Sequence, residues 1–348
     1  MRPRDPNRMS IDPRRLAKEQ GPDGIAHVLR SAGYVIRIKT LGRLWLALDR
    51  AWPLLAGGPA GTGKTSMAEA LSEGCNLSLY EVTGHPGQKA RDVIGAWNRR
   101  AQDRAEDAAI AAGLQLEIAT RRRWAGEYFD CGEVLDAYRE AALAAKAGHP
   151  PPALLIDEVE KLPVPIQHTL FQPLARGFAA IPKLEGVIGV ADPKHAPIVV
   201  LTTNNLKLLD EPLKDRCILT WIAPPAAVEE ISIFHARVPH ASAYLVGATA
   251  KMLAKIRESM DEITRKPGIR NAALLLGAMA DHGVELVTRQ SLGLYLGVLA
   301  RDEIDEANLE HALPTLERAA NRPDAVIDDA VRREFARTGL HLCREEAA

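Results

Sequence analysis

Short, fully apolar runs alternate with longer stretches of helix formers over the first two thirds of the chain. The runs at residues 52–56, 153–156 and 198–202 have the length of strands buried on both faces, and residues 77–82 alternate as a β-strand does. Residues 41–52 and the stretch opening at 66–71 carry apolar positions at helical spacing. Strands separated by helices predict a parallel sheet with helices on both faces, which is a three-layer α/β core. From about residue 94 to 146 the chain is rich in Ala, Arg and Glu, and this predicts a long helical insertion rather than a plain crossover helix. Residues 178–190, FAAIPKLEGVIGV, place apolar residues on either side of Glu185 and Gly186 and predict an inserted hairpin. After Pro224 and Pro225 the strand signal ends, so residues 225–348 predict a separate helical domain following an α/β domain over 23–224. Residues 1–22 combine prolines with charges and predict a mobile arm.

Chemistry enters at the end of the first apolar run, where residues 58–65 read GPAGTGKT. In such a phosphate-binding loop the glycines let backbone N–H groups turn inward around a phosphate, and the loop opens a helix whose N-terminus favours anions. The residues that would hold the nucleotide are Gly58, Pro59, Ala60, Gly61, Thr62, Gly63, Lys64, Thr65 and Ser66. Lys64 would reach the β and γ phosphates, and the Thr65 hydroxyl would ligate Mg²⁺. The strand at 153–156 ends on Asp157 and Glu158. Asp157 suits the same metal ion, and Glu158 can polarise a water for in-line attack on the γ-phosphate. A water-activating carboxylate favours hydrolysis over transfer to a bound acceptor, which weakens a small-molecule kinase reading.

Composition narrows the class without adding a site. The chain has 44 Lys and Arg against 45 Asp and Glu, so no global field draws it to nucleic acid or membrane. Cys75, Cys131, Cys217 and Cys343 are far apart and form no C-x-x-C pair, and the histidines show no H-E-x-x-H spacing; only Mg²⁺ is implied. There is no apolar run of membrane-spanning length and no leader-like apolar segment, so a cytoplasmic protein is expected. Arg121, Arg122 and Arg123 beside Trp124 form a basic run that reads as a solvated helix face, with phosphate contact as the alternative.

GPAGTGKT, LLIDEVEK, VVLTTNN and LKDRC, followed by PGIRN, occur in that order over residues 52–280. In this ordered set the chain resembles AAA+ ATPases, and in detail the MoxR family and its CoxD-like subgroup. The resemblance implies a P-loop NTPase αβα core with a C-terminal all-helical lid domain, ATP as the nucleotide, and ATP hydrolysis in a homo-oligomeric ring, a hexamer. Asn204 matches the family's sensor 1, with Asn205 as the neighbouring alternative. Arg216 matches the arginine finger, which in such rings points into the next subunit's site and is worth roughly 10³ to 10⁵ in rate; the alternative is a surface arginine paired with Asp215 or Asp210. Arg270 matches sensor 2, with Lys266 and Arg265 as nearby substitutes.

In rings of this clade the loop after the second strand and the hairpin face the pore. Here these are residues 84–89 with the following insertion, and residues 178–190. Phe178, Ile181 and Leu184 would grip a partner only weakly, and core packing is the competing role. The implied partner is a protein or metalloenzyme client that the ring remodels or matures, with a von Willebrand factor A domain protein as a further partner. A nucleic-acid motor or loader is the first rival, disfavoured because Lys183 is the only basic residue in the hairpin. A nucleotide-gated switch with little turnover is the second.

Overall fold

The structure, a computed structural model, describes residues 1–260, 262–263, 266–300 and 302–337. It divides into two compact units, the first made of Met1–Ala32, Ile36–Pro59 and Gly63–Ile222, the second running mainly from Ala223 onward. Its strands are β1 Leu54–Gly57, β2 Leu79–Thr83, β3 Gly95–Trp97, β4 Phe129–Cys131, β5 Ala153–Asp157, β6 Phe178–Ala179, β7 Ile188–Gly189, β8 Ile198–Thr203 and β9 Ile218–Trp221.

Five of these form one sheet in the order β2-β5-β8-β1-β9, with every neighbouring pair parallel. The expected α/β core with a parallel sheet is therefore what the chain builds. β1 and β8 are buried at every position, the pattern of strands covered on both faces. Leu55, Leu154, Ile156, Val199 and Leu201 share one core with Leu135 and Tyr138. Those two lie on helix Glu133–Ala147, whose buried Val134, Leu135, Ala137, Tyr138 and Ala141 follow helical spacing toward the sheet. Helix Lys64–Cys75 packs on β5 and β8 and buries Met67, Ala68 and Leu71.

β9 carries no clear signal in the pattern of the chain. It is a four-residue edge strand with Leu219 and Trp221 partly exposed, so burial imposes only half a period on it. The span 94–146, expected as a helical insertion, is more divided. Helices Arg99–Ala111 and Leu116–Arg122 are closed off by the antiparallel pair β3 and β4, and helix Glu133–Ala147 belongs to the core instead. The hairpin at 178–190 pairs only Phe178 with Gly189 and Ala179 with Ile188.

The first 22 residues, expected as a mobile arm, are hydrogen-bonded to the first unit here. Arg2 pairs with the edge strand residue Leu79. Asn76 accepts from the Asp5 N–H at 2.8 Å and donates to the Asp5 carbonyl at 2.9 Å. The buried Arg14 guanidinium donates to the carbonyls of Lys194, Ala196 and Pro197 at 2.6, 2.7 and 3.0 Å, and burial lowers its pKa to about 10.

Among the described residues, the regular elements of the second unit are all helices. Helices Ala227–Arg237, Ala243–Ser259, Ile269–Asp281, Glu303–Asn321 and Ala325–Arg337 bury Phe234, Leu253, Ile256, Leu276, Leu309 and Phe335 in one core. Arg257 pairs with the fully buried Glu230 and also donates to the Pro267 carbonyl at 2.9 Å, tying two helices to the loop that opens helix Ile269–Asp281. The sequence predicts that the helical domain runs to residue 348; residues 338–348, and Cys343 among them, lie outside the described residues, as does Arg265. No helix of the described residues is long and apolar enough to cross a membrane.

Candidate active site

The strands of a parallel sheet deliver their carboxyl ends to one edge, and polar residues at those ends meet there. β1 runs into the phosphate loop, in which Gly58, Gly61 and Gly63 have φ of 154°, 80° and 86°. Side chains are disfavoured at Gly61 and Gly63, where the backbone is left-handed. A Cβ at Gly61 would meet no atom within 4 Å, so the loop borders open space. Lys64 begins the following helix and is 6% exposed. Its Nζ donates to the carbonyls of Gly58 and Pro59, both at 2.8 Å, and to Asn204 Oδ1 at 2.9 Å. Burial lowers its pKa, with the charges of Asp157, Glu160 and Glu158 opposing.

Thr65 Oγ1 donates to Asp157 Oδ1 at 2.9 Å, and the Thr202 hydroxyl donates to the same oxygen. Thr202 also accepts from the Glu158 N–H at 3.0 Å. This fully buried threonine therefore fixes both residues of the acidic pair. A hydroxyl and a carboxylate oxygen beside a glycine-rich loop with a buried lysine are a donor set that suits phosphates and a hard cation such as Mg²⁺.

Glu158 sits in the left-handed region, at φ 51° and ψ 46°. Its Oε1 accepts from Asn204 Nδ2 at 3.0 Å, and its Oε2 accepts from Lys161 Nζ at 2.7 Å. Asn204 is held in turn through its N–H, which donates to Glu160 Oε1 at 2.9 Å. Asn205 points its chemistry elsewhere, accepting from the Lys207 N–H at 3.0 Å as a turn cap. Of the two asparagines, Asn204 is the one in contact with Lys64 and Glu158. Gly84, read from the sequence as the start of a pore-facing loop, packs against the site: its N–H donates to the Asp157 carbonyl at 2.8 Å, and a Cβ would lie 2.4 Å from the Glu158 carbonyl oxygen.

Arg216 stands apart from this group. It precedes β9, and Ile218 at the start of β9 pairs in register with Leu54 at the start of β1. The phosphate loop follows the other end of β1. A four-residue strand, roughly 13 Å long, thus separates Arg216 from its own chain's phosphate loop. Arg216 stacks over Phe171 at 5.1 Å and donates to the Pro212 carbonyl, and it has no carboxylate partner among the described residues. Asp210, a pairing alternative from the sequence, is bonded to His168 instead.

Arg270 is exposed at the first turn of helix Ile269–Asp281. Lys266, its substitute, is engaged with the carbonyls of Ile256 and Met260 at the end of the preceding helix. In the basic run, Arg121 pairs with Glu185 at 2.9 Å, and Arg123 pairs with Asp103 at 2.9 Å and Glu106 at 2.7 Å, which fits the solvated-face reading. Ile181 packs against the core of the first unit. Lys183 sits 4.0 Å over the Trp124 ring, so the hairpin and the insertion contact each other.

Thr202, Glu160, Lys161 and Gly84 were missed by reasoning from the sequence. The only signal was the adjacency of Glu160 and Lys161 to the acidic pair and of Thr202 to Asn204. No curated protein matches the chain. Residues 53–217, the stretch that carries β1, β2, β5, β8, the phosphate loop, Asp157, Glu158, Asn204 and Arg216, match the family model of the AAA domain (dynein-related subfamily), and this match supports a nucleotide-hydrolysing AAA+ protein.

Proposed function

We propose that the chain hydrolyses ATP as a MoxR-type AAA+ chaperone of the CoxD-like subgroup, working as a hexameric ring that remodels or matures a protein or metalloenzyme client. The observation that carries hydrolysis is the contact of one side chain, Asn204, with both Lys64 at 2.9 Å and Glu158 at 3.0 Å. A phosphate-binding cation and a water-polarising carboxylate bridged by a polar amide are the parts that in-line attack on a γ-phosphate requires. Lys64 binds the phosphates, Thr65 and Asp157 hold the metal ion, Glu158 accepts the proton of the attacking water, and Asn204 positions it. Mg²⁺, when bound, supplies charge neutralisation at the phosphoryl oxygens.

Arg216 serves the adjoining subunit, since the sheet separates it from its own phosphate loop and no carboxylate among the described residues pairs with it. Arg270 acts from the helical unit as a second sensor of the γ-phosphate. A von Willebrand factor A domain protein is the partner that the motif resemblance favours. Glu158→Gln keeps the side chain's shape and removes its basicity. Steady-state phosphate release from ATP should fall by roughly 10²-fold or more, the usual contribution of a general base, while ATP binding persists. Unchanged release would remove Glu158 from the mechanism.

A further inference from the structure

Within the second unit a cleft of about 820 Å³ lies between helix Ala243–Ser259 and the end of helix Glu303–Asn321, beside the start of helix Ala325–Arg337. Lys251, Lys255 and Glu258 stand along one wall and Arg318 and Arg322 along the other, with the small side chains of Ala254 and Ala319 among them. Lys251 pairs with Asp328 at 2.6 Å, in the first turn of helix Ala325–Arg337. Asn308, early in helix Glu303–Asn321, donates to the Glu262 carbonyl at 3.2 Å, just past the end of helix Ala243–Ser259. The walls therefore run antiparallel, so Lys251 and Arg322 share one end and Glu258 lies at the other. Asp324 at the first end serves as a helix cap, accepting from the Val326 and Ile327 N–H groups, both at 3.0 Å. Lys255, Arg318 and Arg322 have no carboxylate partner among the described residues; Arg318 donates to the Pro314 carbonyl at 3.1 Å and the Thr315 hydroxyl at 3.5 Å. Like charges four residues apart, as in Lys251 with Lys255 and Arg318 with Arg322, weaken a helix rather than support it.

We propose that this cleft binds an acidic peptide segment of a partner protein, its carboxylates meeting Lys255, Arg318 and Arg322 and its small side chains lying against Ala254 and Ala319. Charge complementarity carries the choice of partner. The two guanidinium groups, one helical turn apart, offer planar forks that match carboxylates, and Lys255 adds a point charge from the opposite wall. The length of the cleft favours a peptide over a nucleic acid. From Lys251 to Glu258 the wall spans roughly 10 Å, enough for a few acidic residues, and it ends on the exposed Glu258 carboxylate, which would repel a phosphate chain running on past it. Nucleic acid is tracked by longer, uninterrupted basic surfaces. A small-molecule pocket is mostly apolar and encloses its ligand, whereas Glu258, Arg318 and Arg322 are exposed. The site lies wholly within the second unit, and it stands independently of the hydrolysis reading.

The test uses the full chain and a blocked, fluorescein-labelled peptide of Glu-Ala-Ala-Glu repeats, with binding read by fluorescence anisotropy. The peptide should bind saturably and more weakly as salt is raised, and the same peptide with Gln in place of Glu should not bind. Combining Lys255→Ala, Arg318→Ala and Arg322→Ala should raise Kd roughly tenfold or more, the joint effect of three exposed ion pairs. Lys255→Gln alone, a milder change that leaves both arginines, should raise Kd by about two- to fivefold. Combining Arg99→Ala, Arg100→Ala and Arg104→Ala on the exposed helix Arg99–Ala111 of the first unit removes as much positive charge elsewhere and should leave Kd within about twofold of the wild-type value. Hydrogen exchange should slow at residues 251–258 and 315–322 when the peptide is added. Absence of saturable binding, a Kd indifferent to the cleft substitutions, or an equal loss in the first-unit variant overturns the proposal. So does a single-stranded oligonucleotide of equal charge that binds the cleft more tightly than the peptide. Phosphate release is read in none of these arms, so a chain that hydrolyses no ATP leaves their outcome intact.

Discussion

Asn204 stands between the Lys64 cation and the Glu158 carboxylate, and small changes around it should be felt in both. The residues that keep it there are silent in a linear reading. Thr202 reaches Asp157 across 45 positions of chain, and Gly84 reaches the Asp157 carbonyl from another strand. Hydrogen bonds between the ends of parallel strands leave no periodic trace, which is why Lys64, Thr65, Asp157 and Glu158 were legible in the sequence and Thr202 and Gly84 were not. The phosphate loop was legible because its chemistry is built from contiguous backbone. Gly84→Ala tests the packing directly. A methyl group 2.4 Å from the Glu158 carbonyl oxygen has to displace backbone, an overpacking cost of about 1–3 kcal/mol. We expect a lowered melting temperature and slower phosphate release; a variant with wild-type stability and turnover would show that the close approach has no consequence.

At the level of elements, apolar runs gave away β1, β5 and β8 because strands buried on both faces can hold little else. β3 and β4 escaped because each is three residues long inside a helix-forming composition. The helical unit has its own fixed point in Glu230 and Arg257. Burial raises the Glu230 carboxyl's pKa above its usual range, and the guanidinium opposes this. A carboxyl raised in the folded state contributes stability that is fully present below its unfolded pKa and is lost as pH rises through the folded value. Arg257→Ala removes the opposing charge and should cost about 3–5 kcal/mol at neutral pH, with the deficit shrinking as pH falls through the raised folded pKa and Glu230 protonates. Thermal unfolding as a function of pH reads this, and a small deficit that does not depend on pH would contradict it.

For the molecule as a whole, the proposed ring gives each chain half of a hydrolytic site, which a second copy completes. Lys64, Thr65, Asp157, Glu158 and Asn204 gather at the carboxyl edge of the sheet, while Arg216 lies at the opposite end of β1 and β9 with no carboxylate partner among the described residues. The most direct test mixes two inactive variants. Arg216→Ala retains the base and lacks the arginine; Glu158→Gln lacks the base and retains the arginine. Each alone should release phosphate at least roughly 10²-fold more slowly than the wild-type chain. Mixed in equal amounts and allowed to exchange subunits, they form junctions that pair an intact Glu158 with a neighbour's intact Arg216, and turnover should recover to a sizeable fraction of the wild-type rate. A mixture no more active than its two components would contradict a site completed by a second subunit.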